Sequence, residues 1–512
     1  MATKDPSEQL LSPPKLAKLK PAVVKVAVEA WEGYNIAGER ARQVQRVLDV
    51  RQGELCWVAG TIYMDMPLKP NILDDISRDH WTAAPPPHER YIDPSTADST
   101  RTMLEDESGR LRLIGSKLRS SLLVTGAIIA VLGTENADGD FEVIDIKVPD
   151  LPDQPQRWER DETNKGSQDE KPSKKIALLS GLGITGSSGD SVELSLLTDY
   201  LLGFSGDSAA GIDDNGSLPS PVQISRLVIA GNSLGDGTAT DQDAFGGSED
   251  AVTKKRKPPA KKYGYDASSY NASPITRLDS FLSEILPSIP VTLMPGEHDP
   301  ANYSLPQQQI HRAMFQRSRA YCSEARPGID ETETEPGWFD NVTNPWEGDV
   351  EGWRLWGCAG QNVDDVLRYI DPTVNEDDDE MSKETSDRES RLQIMEMMLR
   401  WRCAAPTAPD TLWCYPYQHD DPFVLQASPH IFFVGNQPSF QTAIIEGSTH
   451  SSPDEDDDMS NDGDKGIRVR VISLPKFSQT GELVLVDAET LEVEVVKFSA
   501  FGEEGIKNEQ PS

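Results

Sequence analysis

The sequence contains no run approaching the ~18 consecutive apolar residues of a membrane span. Its Lys-studded start, Pro14 to Trp31, lacks the apolar block of a secretory signal. Cysteine is scarce: Cys56, Cys322, Cys358, Cys403 and Cys414 stand far apart, with no C-x-x-C pair of the kind zinc sites use. They read as reduced thiols of a soluble, intracellular protein. There is no Gly-Lys-Ser/Thr to form a P-loop. Positive charge is also short, with 49 Lys and Arg against 85 Asp and Glu for a net charge of -36. Tight sequence-independent DNA binding depends on Lys and Arg displacing counterions from phosphates. A chain this acidic is therefore expected to meet nucleic acid only through a partner. The runs Glu376 to Glu380 and Asp454 to Asp458 hold ten of the 85 carboxylates, so the balance survives their removal.

What is present points to more than one domain, since 512 residues exceed the ~250 to 300 at which single cores stop growing. Residues 1–39 read as a polar, Pro/Lys-rich, loosely ordered arm. Residues 40–150 carry short strand-like runs, Leu55 to Tyr63, Leu111 to Ile114, Leu122 to Leu132 and Phe141 to Val148. In the last run Ile144, Ile146 and Val148 alternate with Asp145 and Lys147, the period of a half-buried strand. Short strands, Gly-marked turns and almost no helix predict an OB-fold barrel. A Pro-rich, charged linker follows at 151–172.

From 173 to 512 strands and helices alternate. Strand Ile176 to Ser180 leads through a Gly-rich turn to a helix that begins near Asp190 and Glu193. Strand Arg226 to Ala230 comes next, then a helix with Ser273 as cap, Pro274 at its first position and Ile275, Leu278, Leu282 and Ile285 on one face. Strand Pro290 to Met294, later strands at 352–358 and 430–434, a helix at about 390–401 and three terminal strands complete the pattern. The fold class is α/β together with all-β, a barrel followed by a layered α/β sandwich. Polar stretches at 235–271, 375–388 and 447–466 read as disordered inserts.

Four chemistries are candidates. Gly181-Leu182-Gly183-Ile184-Thr185-Gly186 satisfies G-x-G-x-x-G between strand and helix, but the acidic residue expected ~20 positions on falls in the Gly/Ser/Asp-rich segment Gly203 to Gly216. A tight turn is the simpler reading. The second is a binuclear metal site at the strand ends. Calcineurin-like phosphoesterases share this order of elements and place ligands there in motifs D-x-H, G-D, G-N-H-D/E and G-H-x-H. Here Ser180 and Leu182 stand for the Asp and His of the first motif, Asn232 for the Asp of the second, and Asn436 and Pro438 for the histidines of the last. Only Glu297-His298-Asp299 is nearly intact. Two cations held together need His and carboxylates from several loops, so neither metal nor other cofactor is expected. The third is the basic cluster Lys254, Lys255, Arg256, Lys257, Lys261 and Lys262, which reads as a nuclear import signal. The fourth, base stacking on the barrel, has the scattered aromatics Trp57, Tyr63, Trp81, Tyr91 and Phe141 without a dense basic accompaniment, so a barrel used for protein contact is the simpler reading.

Several strings together resemble the small (B) subunit family of DNA polymerase delta. They are Met294 to Gln308 (MPGEHDPANYSLPQQ), Gly360 to Val363 with Arg368-Tyr369, Pro406 to Asp410, Cys414 to Pro416, and Gly435-Asn436 with Pro438 to Phe440. Ser180 to Gly183 and Met66-Pro67-Leu68 with Pro70 add to them. The resemblance implies an OB domain and an inactivated phosphoesterase domain acting as a non-catalytic scaffold in chromosomal replication and repair synthesis, in the nucleus. It further implies that the chain holds the cysteine-rich C-terminal domain of the catalytic subunit and a third, elongated subunit, and reaches the sliding clamp indirectly and DNA only through the complex. Animal members carry an aromatic residue at the position of His298, and the basic cluster and the inserts fit a fungal-type member. An active metal-dependent phosphoesterase, or the small subunit of another B-family polymerase, are the alternatives.

Overall fold

The computed structural model describes residues 14–70, 90–92, 100–157, 174–186, 191–204, 223–235, 272–370, 380–447 and 466–499, apart from 37, 324–325, 328–333, 416 and 418–419. The basic cluster Lys254 to Lys262, nearly all of the 235–271 and 447–466 inserts and the end of the 151–172 linker lie outside the described residues. Among the described residues no helix is long and apolar enough to cross a membrane.

Of the expected 1–39 arm, residues 1–13 lie outside the described residues, and the described part is mainly a helix, α1 (Pro14–Trp31). Lysines and prolines mask its pattern in the sequence, but Leu16, Leu19, Val23, Ala27 and Trp31 recur every three or four residues and all are buried. Trp31 packs at 5.8 Å on Trp57 and its indole N–H donates to Asp145 (3.1 Å).

The barrel strands are β1 (Arg42–Val44), β2 (Cys56–Asp65), β3 (Arg101–Glu105), β4 (Arg110–Ile114), β5 (Ile128–Glu135) and β6 (Phe141–Lys147). They run in the order β1-β2-β3-β4-β6-β5, and β5 pairs back onto β2 to close the sheet. Strand β5 is buried without alternation over its first six residues, one face filling the barrel and the other packed in the same cluster as α1. In β6 the expected phase is corrected. A register shift opposite Leu132/Gly133 skips Ile144, so Phe141 and Val143 are buried while Ile144 is exposed.

The second unit is built on two large sheets among the described residues. One comprises β7 (Lys174–Leu179), β8 (Gln223–Ala230), β9 (Val291–Met294), β10 (Phe339–Asn341), β16 (Glu482–Asp487) and β17 (Val493–Lys497), in the order β10-β9-β8-β7-β16-β17. The other comprises β11 (Trp346–Val350), β12 (Trp353–Cys358), β13 (Ile431–Gln437), β14 (Gln441–Gly447) and β15 (Ile467–Pro475), in the order β11-β12-β13-β15-β14. The period of two along each strand sorts their side chains into layers. Ile176, Leu178, Val228 and Ala230 of the first sheet meet Leu355, Ile431, Phe433, Ile472 and Leu474 of the second in one cluster. The alternate residues Ala177, Leu179, Leu227 and Ile229 face α2 (Val192–Leu201) and α3 (Ser273–Ile285). On the far side, Trp356, Cys358, Phe432 and Val434 pack with α4 (Gln361–Leu367), α5 (Glu380–Arg400) and the barrel.

Details at the helix ends differ from expectation. Ser191, one residue after Asp190, caps α2 by accepting from Leu194 N (3.2 Å), and Ser273 lies inside α3 with Ala272 as its cap. Helix α5 begins at Glu380, inside the stretch read as a 375–388 insert. Its Glu, Met, Lys and Arg are strong helix formers, and low hydropathy alone misreads such a segment. The start of the linker is also ordered, because the Arg402 guanidinium donates to the carbonyls of Pro149, Asp150 and Leu151.

Barrel and sandwich meet along a seam inside one hydrophobic cluster. The Lys69 ammonium pairs with Asp410, donates to Met64 O (3.1 Å) and lies 4.6 Å from the Tyr63 ring centroid. Tyr91 donates from its backbone to Arg368 O (2.8 Å) and from its hydroxyl to Asp365 (3.2 Å), and stacks edge-on with Tyr369. Lys15 reaches from α1 to Ala405 O (2.8 Å) and Ala408 O (2.9 Å). At Gly126 a Cβ would lie 1.9 Å from Pro406 O, so the barrel turn approaches this segment as only glycine can.

His430, at the head of β13, accepts from Arg354 N (3.1 Å) and stands edge-on to Trp353. Burial lowers its pKa to about 4. A depressed value means that the neutral form belongs to the fold. Stability is then complete above the free-histidine pKa of about 6.5 and falls between there and about 4, by roughly 2–3 kcal/mol. A His430→Gln variant should show a flatter fall in urea midpoint from pH 7 to pH 5 than the parent; parallel curves would show that His430 carries none of it.

Candidate functional site

The loops leaving β7, β8, β9, β12 and β13 converge at one end of the sandwich, the end that carries Ser180, Asn232, Glu297, His298, Asp299 and Asn436. Ser180 ends β7 fully buried; its hydroxyl accepts from Asn436 N (2.9 Å) and lies 2.9 Å from Pro475 O, to which it donates. Gly181 and Gly183 follow with φ of 62° and 61°, and their N–H groups bond to Gly231 O and Asn232 O. The glycine motif is thus a tight turn clamped to its neighbour. A Cβ on Gly181 would meet Asn436 Oδ1 at 2.9 Å and the Lys476 backbone at 3.0 Å.

Asn232 and Asn436 both hold positive φ, 51° and 58°, the left-handed region that asparagine tolerates better than most residues. Asn232 Oδ1 accepts from His298 N (3.1 Å). Asn436 Nδ2 donates to Ala230 O (3.2 Å) and Ala359 O (2.8 Å), tying the two sheets together, and its Oδ1 is buried without a protein partner. Asp299 is buried beneath these loops. Its carboxylate accepts from Gly296 N (2.8 Å), Leu234 N (2.9 Å) and Ser233 N (3.2 Å). Burial pushes this carboxyl up, and the surrounding N–H groups oppose the rise.

The structure therefore brings together Ser180 with Asn436, and Asn232 with His298 and Asp299. It does not bring in the others. Leu182 is buried toward the α2/α3 core, Glu297 and Pro438 are exposed, and exposed His298 joins only through its backbone N–H. Among the described residues no group of three or more His, Cys, Asp or Glu converges. The donors do not fit a binuclear centre: the Asp299 oxygens, the Asn232 amide oxygen and the Ser180 hydroxyl are taken by backbone groups, leaving the neutral Asn436 Oδ1.

A second constellation has no local pattern in the sequence. Gln307 donates to Gly296 O (3.0 Å) and accepts from Asn344 (2.8 Å) and Gln361 (3.0 Å), so one buried amide links the β9, β10 and α4 loops. Asp365, buried, accepts from Thr411 (2.6 Å) and Tyr91. Gln307, Gln361, Tyr369 and Asp410 lie within the strings that carry the family resemblance, and Lys69 is bracketed by Met66-Pro67-Leu68 and Pro70. That was the available signal.

A family model describing the B subunits of DNA polymerases alpha and epsilon matches residues 176–442, and one described as the DNA polymerase delta subunit OB-fold domain matches 11–146. The DNA polymerase delta small subunit of Saccharomyces cerevisiae is 34% identical over 496 residues, covering 94% of this chain and 88% of that protein. That of Arabidopsis thaliana is 34% identical, covering 89% and 84%, and DNA polymerase delta subunit 2 of Drosophila melanogaster is 30% identical, covering 96% and 92%. The chain belongs to the DNA polymerase delta small-subunit family. The OB-fold match begins at 11 and so takes in α1, consistent with the helix being part of the barrel unit.

In this family member the nearly intact Glu297-His298-Asp299 string divides by burial. Replacing Asp299 by Ala strands three N–H groups and should cost about 3 kcal/mol or more. Glu297→Ala and His298→Ala, at exposed positions, should stay within about 0.5 kcal/mol of the parent. Urea unfolding of the three variants checks this; a neutral Asp299→Ala would contradict the assigned role.

Proposed function

We propose that the chain is a non-catalytic accessory subunit of DNA polymerase delta that scaffolds the complex in chromosomal replication and repair synthesis. The reading rests on family membership and, from the structure, on one observation: at the strand ends the carboxylate and amide oxygens that would hold metals are spent on backbone N–H groups. The sandwich so formed is a metallophosphoesterase-like frame in which chemistry has given way to loop fixation. Its partners are the cysteine-rich C-terminal domain of the catalytic subunit and a third accessory subunit, with the sliding clamp reached through the latter and DNA through the whole complex. The net charge of -36 supports that indirect contact. Its place of work is the nucleus, and Lys254, Lys255, Arg256, Lys257, Lys261 and Lys262 offer an import route.

The test is co-expression of the full chain with the catalytic subunit's C-terminal domain, followed by size-exclusion chromatography, beside a phosphodiesterase assay with manganese and a chromogenic diester. Co-elution without turnover is expected. Separate elution of two folded proteins, or turnover lost in His298→Ala, would overturn the scaffold reading.

A further inference from the structure

Three large aromatic side chains stand in solvent close to the strand-end loops: Tyr303 is 70% exposed, Trp413 50% and Tyr415 68%. Tyr303 and Trp413 meet edge-on with ring centroids 6.3 Å apart. Their backbones are fixed. Leu305 N donates to Trp413 O (3.0 Å) and Tyr415 N to Leu305 O (2.7 Å), a short ladder in which Leu305 and Cys414 are partners. Extended backbone sends Trp413 and Tyr415 to one side and Cys414, between them, to the other, where it packs on the core. Asn302 braces the other segment, donating to Pro306 O (3.1 Å) and accepting from Gln308 N (2.6 Å). Leu305, buried in the cluster shared by barrel and sandwich, makes the patch continuous with the seam.

We propose that Tyr303, Trp413 and Tyr415 form the docking face for a protein partner that presents arginine or lysine side chains from an apolar surface. This rests on the scaffold reading above and locates one grip of it. Exposed aromatic faces serve either nucleobases or cations and apolar side chains, and charge decides between them. Base stacking needs cations beside the rings for the phosphates. The lysines that reach the 405–421 segment, Lys15, Lys18 and Lys69, each pair with an aspartate of it, Asp421, Asp420 and Asp410. The chain as a whole carries -36 and attracts a basic partner. A guanidinium over Trp or Tyr gains from the ring quadrupole, and rings already held in place lose little freedom on binding.

The experiment uses the full chain and, as probe, the catalytic subunit's C-terminal domain, with affinity read by titration at two salt concentrations. A Tyr303→Ser/Trp413→Ser/Tyr415→Ser variant should keep the parent's circular dichroism and thermal midpoint and bind at least about tenfold more weakly. The Tyr303→Phe/Trp413→Phe/Tyr415→Phe variant, which keeps the ring faces, should bind within about threefold of the parent. Binding by the Ser variant indistinguishable from the parent's would overturn the patch and leave the scaffold reading standing. If the parent itself does not bind the domain, both fall. A single-stranded oligonucleotide bound by the parent and lost in the Ser variant would assign the face to nucleic acid instead. Parent dimers that dissociate in the Ser variant would assign it to a second copy.

Discussion

A buried cation stands at the centre of the polar contacts that join the two halves of this molecule. The Lys69 ammonium leaves the barrel, lies against the Tyr63 ring and pairs with Asp410 of the sandwich. With its side chain 8% exposed, the charge has given up most of its water, and only the particular neighbourhood of carboxylate, carbonyl and ring compensates that loss. Such a pair specifies geometry more than it adds stability. Apolar packing supplies the latter: Leu16, Val23, Trp57, Val131, Trp356, Val363, Met398 and Val434 belong to one cluster although they span barrel, helices and sheet. The seam is therefore a core in its own right, with polar contacts that fix its register.

The strand-end loops follow from that frame. Packed sheets bring Ser180 within reach of Asn436, and the backbone at Asn232 and Asn436 adopts left-handed turns that glycine and asparagine accept. In such a place carboxylates could hold metals. Here Asp299 collects N–H groups from two loops and Asn436 joins carbonyls of both sheets, so the same frame becomes a rigid platform. A platform of this kind keeps neighbouring loops, including the one bearing Tyr303, at fixed distances from the seam.

Much of this was legible in the residues. Ile176, Val228 and Val291 announce buried strands, Ile275 with Leu278, Leu282 and Ile285 announces a helix face, and the absence of carboxylate and histidine at Ser180, Asn232 and Asn436 is plain in the letters. Other features were hidden for physical reasons. Helix α1 interleaves lysines with its apolar positions, and one of them, Lys15, is a seam contact rather than a solvated charge. Strand β3 alternates only weakly, and β6 loses its phase at a bulge that no local pattern marks. The seam residues Lys69, Tyr91, Asp365 and Asp410 are polar letters scattered over most of the chain. Period and propensity cannot pair them; only the tertiary fold does.

Barrel and sandwich are, in this account, one cooperative body joined through a shared core. Native-state amide exchange in rising urea tests that directly, by following peptides from β5 (Ile128–Glu135) and β13 (Ile431–Gln437) in the full chain. The shared core predicts that both converge on the same opening free energy and the same urea dependence. A barrel that opens about 2 kcal/mol or more below the sandwich, with its own smaller urea dependence, would show two independent domains and contradict the account.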